Sequence, residues 1–427
     1  CDNPPAIGAM DSRDIQNLRR LMEYEAARTE PPPGFPSLPD IPAGRYRDPR
    51  FFELERRHLF GRSWLLAAHM DEIPEPGCFM RWDLAGQPVV LVHAAGGEVN
   101  AFYNTCSHRG APVVTARTGR SRRLTCSYHG WSYGHDGELV AIRGPENYRD
   151  LDLSCRGLKR VRCERFGQLV FVNFNSEAPS LREWLGPIAG EWEEFQFDRC
   201  RLSARHVFDL DCNWKIAMEA NLEVYHVPTI HPKTIAPVLD ARRNVNTLYP
   251  NGHGRMVAPI PGAGQASGGD SAGWQSRRTE IATAGEIART CTQSYNLLPN
   301  LVVPLNQYAI PPILFWPNGI DSCRIETWTM APDWGEGEGP DMWTQGRGER
   351  LGRVLLEDTE TSERIQASIH SAAFRGIPLG YQEARIYHWH QAADALIGSD
   401  AIPEELRVEA AIGEEWIYPN DPRLACI

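Results

Sequence analysis

Short apolar runs alternate with glycine-bearing turns between residues 63 and 175. The runs are WLLAAHM, CFMRWDL, PVVLVHA, VNAFYNT and LVFVNFN, and turns such as AAGGE and GHDGE separate them. That texture predicts an antiparallel β domain. Ahead of it, residues 11–28 predict a helix, with an Asp cap and Ile15, Leu18, Leu21 and Met22 at helical spacing. Six prolines between Pro31 and Pro42 predict an extended linker. Residues 48–60 read as helix again, with Phe51, Leu54, His58 and Leu59 on one side. The β texture ends after Asn175, where SEAPSLREWLGP opens a capped helix.

The rest mixes helices and strands. Residues 211–227 predict a helix that Pro228 ends, 300–317 and 321–331 predict strands, and a helix runs from near Arg347 to about Ala373. The glycine-rich stretch 251–273 reads as a mobile loop able to cover a site. No internal repeat is visible. The organisation expected is therefore an N-terminal arm with helices (1–62), a β domain (63–175) and an α+β remainder (176–427).

Composition narrows the function classes. The 427 residues carry 44 basic and 55 acidic side chains, a net charge of −11. That argues against a chain that lives on nucleic acid or anionic membrane. No run of 18 apolar residues is present, and mean hydropathy is −0.41. Eleven cysteines cannot all pair within one chain, and their spacing is irregular. This reads as a cytoplasmic protein with mostly buried thiols and a metal site, and Cys1 is not read as a lipid anchor.

Two constellations carry chemistry. The segment CSHRGAPVVTARTGRSRRLTCSYHGW holds Cys106 and His108, then Cys126 and His129. Glycines follow each half, at Gly110 and Gly130, where tight loops need positive φ. A single zinc could use all four ligands. A dinuclear cluster would take the two cysteines on one iron and the two histidines on the other. Each half here mixes one Cys with one His, which suits two fingers gripping a [2Fe–2S] cluster. The arginines between the halves (Arg109, Arg117, Arg120, Arg122, Arg123) could steer an acidic electron donor, or form a solvated basic loop.

The second constellation is NWKIAMEANLEVYHVPTIHP, with Glu223, His226 and His231. On a helix Glu223 and His226 share a face, and the break at Pro228 lets His231 fold back. A carboxylate would complete a 2-His-1-carboxylate iron site with open positions. Asp358 is the candidate, placed by periodicity on the face of Leu351, Val354, Leu355, Ile365 and Ile369, while Glu357 and Glu363 point elsewhere.

Together these elements resemble the α subunits of Rieske non-haem iron oxygenases. The resemblance covers about residues 50–395 and rests on four elements in order: the Cys-His pair, the NWK helix, His-x4-His, and the E-D-x4-E-x2-Q run at Glu357–Gln366. It implies an N-terminal all-β Rieske domain and a C-terminal helix-grip domain, an antiparallel sheet wrapping a long helix. It implies a [2Fe–2S] cluster on Cys106, His108, Cys126 and His129, and Fe(II) on His226, His231 and Asp358. Glu223 takes the place of the carboxylate that bridges a cluster histidine of one subunit, here His129, to an iron histidine of its neighbour, here His226. Many members carry Asp there, so Glu is one methylene longer.

The resemblance further implies a homotrimer, leaves open an added β subunit, and requires NAD(P)H electrons from a separate reductase or ferredoxin. O₂ is the co-substrate. The organic substrate stays open. An aromatic or hydrophobic ring compound to be hydroxylated or dihydroxylated is the first reading. A methylated amine, betaine or aryl ether to be oxidatively demethylated is the alternative. Trp274, Trp316, Trp328, Trp343 and Trp389 read as core aromatics, or as a surface that stacks on a ring or cages a quaternary ammonium. A Rieske electron carrier without oxygenase activity, or a binding module with structural zinc, are the readings from other classes.

Overall fold

In a computed structural model, residues 10, 12–262, 279–337, 339–343 and 348–427 are described. The chain divides into two compact units, Phe60–Glu183 and the chain up to Leu59 together with Trp184–Ile427.

The first unit is built almost wholly of strands: β1 (Leu65–His69), β2 (Cys78–Trp82), β3 (Val89–His93), β4 (Val99–Tyr103), β5 (Thr118–Arg120), β6 (Leu124–Thr125), β7 (Ser132–Tyr133), β8 (Leu139–Ala141), β9 (Arg160–Phe166) and β10 (Leu169–Asn173). Seven form an antiparallel sheet in the order β1-β10-β9-β4-β3-β2-β5, and β6-β7-β8 form a smaller one. All five apolar runs became strands. Val89–His93 and Leu169–Asn173 are buried at every position, which is why they read as continuous apolar stretches.

The second unit is a curled antiparallel sheet with helices on both faces. Its strands are β11 (Arg201–Leu210), β12 (Val245–Leu248), β13 (Gly254–Pro259), β14 (Cys291–Leu297), β15 (Leu301–Leu305), β16 (Ile313–Gly319) and β17 (Ser322–Ala331), ordered β11-β17-β16-β15-β14-β13-β12. The register pairs Gly254 with Asn296 and Met256 with Ser294. Alternation then splits β13 between two layers. Val257 and Cys291 face the helix α1 (Ser12–Ala27) through Leu18, Leu21 and Met22. Met256 and Ala258 face Val224, Val227 and Leu239.

Several expectations change. From Ser12 on, the N-terminal residues belong to the second unit: α1 closes one sheet face, and Ile41–Pro42 pairs with Gly376–Ile377. The glycine-rich loop is a strand at Gly254–Pro259; its remainder from residue 263, with Trp274, lies outside the described residues, as does Cys1. The helix expected over 211–227 is short, α3 (Trp214–Glu219), capped by the Asn213 side chain on the Lys215 N–H. Pro228 does not end it. It sits in the first turn of α4 (Val227–Ile230), where a missing N–H costs nothing. Of the tryptophans, Trp316, Trp328, Trp343 and Trp389 are buried; Trp343 and Trp389 donate to backbone carbonyls of Trp328 and Pro299. They are core residues.

A cluster of charged groups is buried where α2 (Pro49–Leu54) and the residues around it meet α3. Lys215 pairs with Glu55 at 2.8 Å and Arg45 with Asp394 at 2.6 Å. Arg45 Nε donates to His390 Nδ1 (3.1 Å), so the neutral ring carries its proton on Nε2, which faces Glu219 Oε1 at 2.9 Å. The Tyr46 hydroxyl reaches both Glu219 oxygens at 2.8 Å.

His253 is held as firmly. Leu298 N–H donates to its Nδ1 (3.1 Å) and its Nε2 donates to Trp184 O (2.9 Å). Burial pushes its pKa down to about 3, with His388 adding to the effect. The neutral ring is therefore native, and the unfolded chain takes up the proton first. Stability should be complete above about pH 6.5 and fall toward pH 3, by at most about 1.4 kcal/mol per pH unit from this group. His253→Gln keeps one donor and one acceptor without a titrating ring. Its urea midpoint should fall less steeply between pH 6.5 and 4.5 than the parent's; equal slopes would contradict the assignment.

Candidate metal centres

In the first unit two loops of equal construction face each other. Cys106 N–H donates to Ala111 O (2.8 Å) and Gly110 N–H to Cys106 O (2.9 Å). Cys126 N–H donates to Trp131 O and Gly130 N–H to Cys126 O, both 2.9 Å. Gly110 and Gly130 have φ of 74° and 76°. Each loop is a finger that sets its cysteine at the base, and both thiols are buried among Val113, Leu124 and Trp131. The rings of His108 and His129 lie 4.6 Å apart, and His108 stacks on Trp131 at 4.8 Å.

Cys106, His108, Cys126 and His129 thus come together. The donor set fits a cluster. His129 Nδ1 is buried without a hydrogen-bond partner among the described residues. Burial and the nearby Cys106 push the Cys126 thiol up, while burial and the neighbouring His129 hold His108 toward neutral. Buried thiols beside imidazole rings are what a cation would turn into ligands. Tyr133 escaped sequence reasoning. Its hydroxyl lies 3.1 Å from Cys106 Sγ and accepts the Ser107 N–H at 3.1 Å. Hydrogen bonds to a cluster sulfur tune its potential. Only the pairing of β7 with β6 brings it there. Of the arginines between the fingers, Arg117 and Arg120 pair with Glu72 and Glu75, and Arg109 lies over the Tyr128 ring.

In the second unit His226 and His231 stand at the two ends of α4. One helical turn, with His231 N–H donating to Val227 O, sets their rings 5.1 Å apart. Asp358 comes from α5 (Gly348–Ile369). Its Oδ1 is 2.7 Å from His231 Nε2 and 3.7 Å from His226 Nε2. One ligand atom from each of the three lies within 4.8 Å of the others, the only such group among the described residues.

The Nδ1 atoms face outward to glutamates. His226 Nδ1 meets Glu223 Oε1, and Glu223 Oε2 accepts the backbone N–H groups of Tyr225 and His226. Glu223 is in a turn, not on the helix expected, yet it still reaches His226. His231 Nδ1 is 2.8 Å from Glu357 Oε2, which also accepts the Thr234 hydroxyl at 2.6 Å. Glu357 therefore does not point elsewhere. Burial lowers the pKa of His231, but Asp358 and then Glu357 outweigh it and raise the net value. Two imidazoles with Nε2 turned inward and one carboxylate form a donor set that fits a divalent iron with positions to spare.

Asp358 is not on the apolar face expected: Ile365 is exposed, and among the described residues of α5 the buried ones are Ser362, Gln366 and Ile369. Asp358 heads a polar stripe, in which Gln366 accepts the Asn213 N–H at 2.8 Å.

Glu357→Gln would keep the length and one acceptor oxygen for His231 and Thr234 but remove the negative charge behind the imidazole. Iron affinity at this site should drop about 10- to 100-fold, read by competition with a chromogenic chelator. Unchanged affinity would show that Glu357 does not orient His231.

Two known families match this chain. The Rieske [2Fe-2S] domain family matches residues 63–159, and the ring hydroxylating alpha subunit (catalytic domain) family matches 197–399. The chain belongs to the Rieske oxygenase α subunits. Among its relatives, the 2-aminobenzenesulfonate 2,3-dioxygenase subunit alpha of Alcaligenes sp is 32 % identical over 268 residues, 60 % of this chain and 66 % of the relative. The glycine betaine monooxygenase oxygenase subunit of Pseudomonas aeruginosa is 30 % identical over 200 residues, 47 % of this chain and 46 % of the relative. The match to that betaine enzyme spans about half its length. The fold of this Rieske oxygenase α subunit is that of a quaternary ammonium Rieske monooxygenase (TM-score 0.69, 19 % identity, 86 % of this chain and 99 % of that one). It is equally that of naphthalene 1,2-dioxygenase from Rhodococcus sp. (TM-score 0.68, 20 % identity, 92 % and 100 %). No helix among the described residues is long and apolar enough to cross a membrane.

Proposed function

We propose that this chain is a terminal oxygenase that passes reductase electrons from a Rieske cluster to a mononuclear iron and hydroxylates or dihydroxylates an aromatic or hydrophobic ring compound with O₂. The observation that carries the reading is the convergence of His226, His231 and Asp358 in a chain that also builds the two-finger cluster site. An electron carrier needs only the fingers. Iron held by three protein groups supplies O₂ activation, since coordination positions stay open.

The protein's own residues do the rest. Cys106, Cys126, His108 and His129 hold the cluster. Glu223 orients the imidazole of His226 and meets His129 of a neighbouring copy in a cytoplasmic homotrimer. The donor is an NAD(P)H-dependent reductase or ferredoxin. The second reading, oxidation of a methylated amine or betaine, is favoured by the likeness to glycine betaine and carnitine monooxygenase subunits.

Metal analysis comes first: about three irons per chain support an oxygenase, two a carrier, none a zinc module. Product mass then decides substrate and reaction, using NADH, a reductase, ¹⁸O₂ and parallel panels of aromatic compounds and betaines. Failure of both panels to yield labelled product would count against both substrate readings.

A further inference from the structure

Glu223 has a charged neighbour that no motif marks. Arg385 is the second residue of α6 (Ala384–Ile397) and is 1 % exposed. Its Nε and Nη2 both donate to Asn296 Oδ1, at 3.1 and 2.9 Å. Asn296 lies opposite Gly254 in the sheet. A Cβ at Gly254 would come within 2.7 Å of Asn296 Oδ1 and 3.2 Å of Arg385 Nε, so the glycine keeps the slot open. Arg385 Nη1 is buried with no hydrogen-bond partner among the described residues.

A buried guanidinium is costly unless an anion balances it. Asn296 is neutral. Burial lowers the pKa of Arg385 to about 9, and the charge that opposes this is that of Glu223. Glu383, two residues before Arg385, also feels Glu223, but the Gly380 N–H (2.8 Å) occupies its Oε2 and burial pushes its pKa up. Asn296, Gly254 and Met256 share one sheet face, and Met256 packs on Val224, next to Glu223.

We propose that Arg385 is a positioning residue for Glu223: its buried positive charge draws the carboxylate inward and fixes it on His226. The proposal rests on the role assigned to Glu223 above. Its physical content is an attraction between two side chains.

A double-mutant cycle tests that attraction on the purified full-length chain. Glu223→Gln, Arg385→Gln and the double variant are unfolded in urea. Coupling requires that Glu223→Gln shift the midpoint clearly less in the Arg385→Gln background than in the parent. Additive shifts overturn the proposal. The cycle reads the pair whether or not Glu223 conducts electrons, so failure of that role would leave the result intact.

The holoenzyme gives a second readout. Arg385→Gln should slow reoxidation of the reduced cluster in single turnover about tenfold or more, with the cluster spectrum and the substrate KM unchanged. Arg385→Lys, which keeps the charge and lacks the fork, should recover part of the rate. A raised KM with a parent-like reoxidation rate would make Arg385 a substrate-binding group and sink the proposal. If Arg385→Gln does not fold, Arg385→Lys alone should still reoxidise more slowly than the parent at equal KM, and a parent-like rate counts against it.

Discussion

Asp358→Asn should empty the mononuclear site and leave the Rieske cluster whole. Asp358 is the only anion among the three groups that converge on the site. The variant leaves two neutral imidazoles and an amide facing a dication. Affinity for iron rises with ligand charge and falls when a carboxylate becomes a neutral acceptor. A loss of at least about 100-fold is expected, at the upper end of what ligand-orienting changes alone produce. Iron should fall from about three to about two per chain, with the visible spectrum of the cluster unchanged and no product formed. The substitution is nearly isosteric at a half-buried position, so folding should survive. Retention of three irons would show that the carboxylate is not a ligand.

Glu223→Gln should do the opposite, keeping all three irons and losing coupled turnover. The carboxylate has two acceptor oxygens in use. One faces His226 Nδ1, and the other takes the N–H groups of Tyr225 and His226. An amide has a single oxygen, so its NH₂ must face either the ring N–H or the two backbone N–H groups. Either choice leaves donors unpaired, at a cost of about 1–3 kcal/mol. The His226 ring then loses its fixed orientation and the negative charge behind it. Product formation should fall at least about tenfold, and single-turnover reoxidation of the cluster should slow in step. Full coupled activity in this variant would remove Glu223 from the path.

Much of this was legible in the sequence, for identifiable reasons. The first unit showed itself because half-buried and buried strands leave apolar runs between turns. The fingers did because their ligands are local: a loop of six residues contains everything it needs. His226 and His231 sit at the ends of one turn, so they too are local. Asp358 was found on an argument that fails in detail, since Ile365 is exposed and the buried stripe is polar. Hydropathy cannot mark a stripe of Ser362 and Gln366, because what buries them is a partner, not aversion to water. Glu357, Tyr133 and Arg385 were missed for the same reason. The partners of Glu357 and Arg385 lie 126 and 89 residues away, joined only by the fold. The strand at Gly254–Pro259 hid behind glycines, at least one of which makes room for another side chain.

The position of the N-terminal residues affects how the protein can be made. Arg45 finds its histidine partner 345 residues later in the chain. At roughly 5–20 residues per second a ribosome needs about 20–70 s to cover that distance. The unit spanning Phe60–Glu183 is finished long before then and has every residue of the cluster site within it. Arg45 and Tyr46 must wait for α6 to emerge. Biosynthesis therefore runs inside out: the segment made first is among the last to settle, and the cluster site can be complete on the nascent chain while the iron site still lacks its carboxylate.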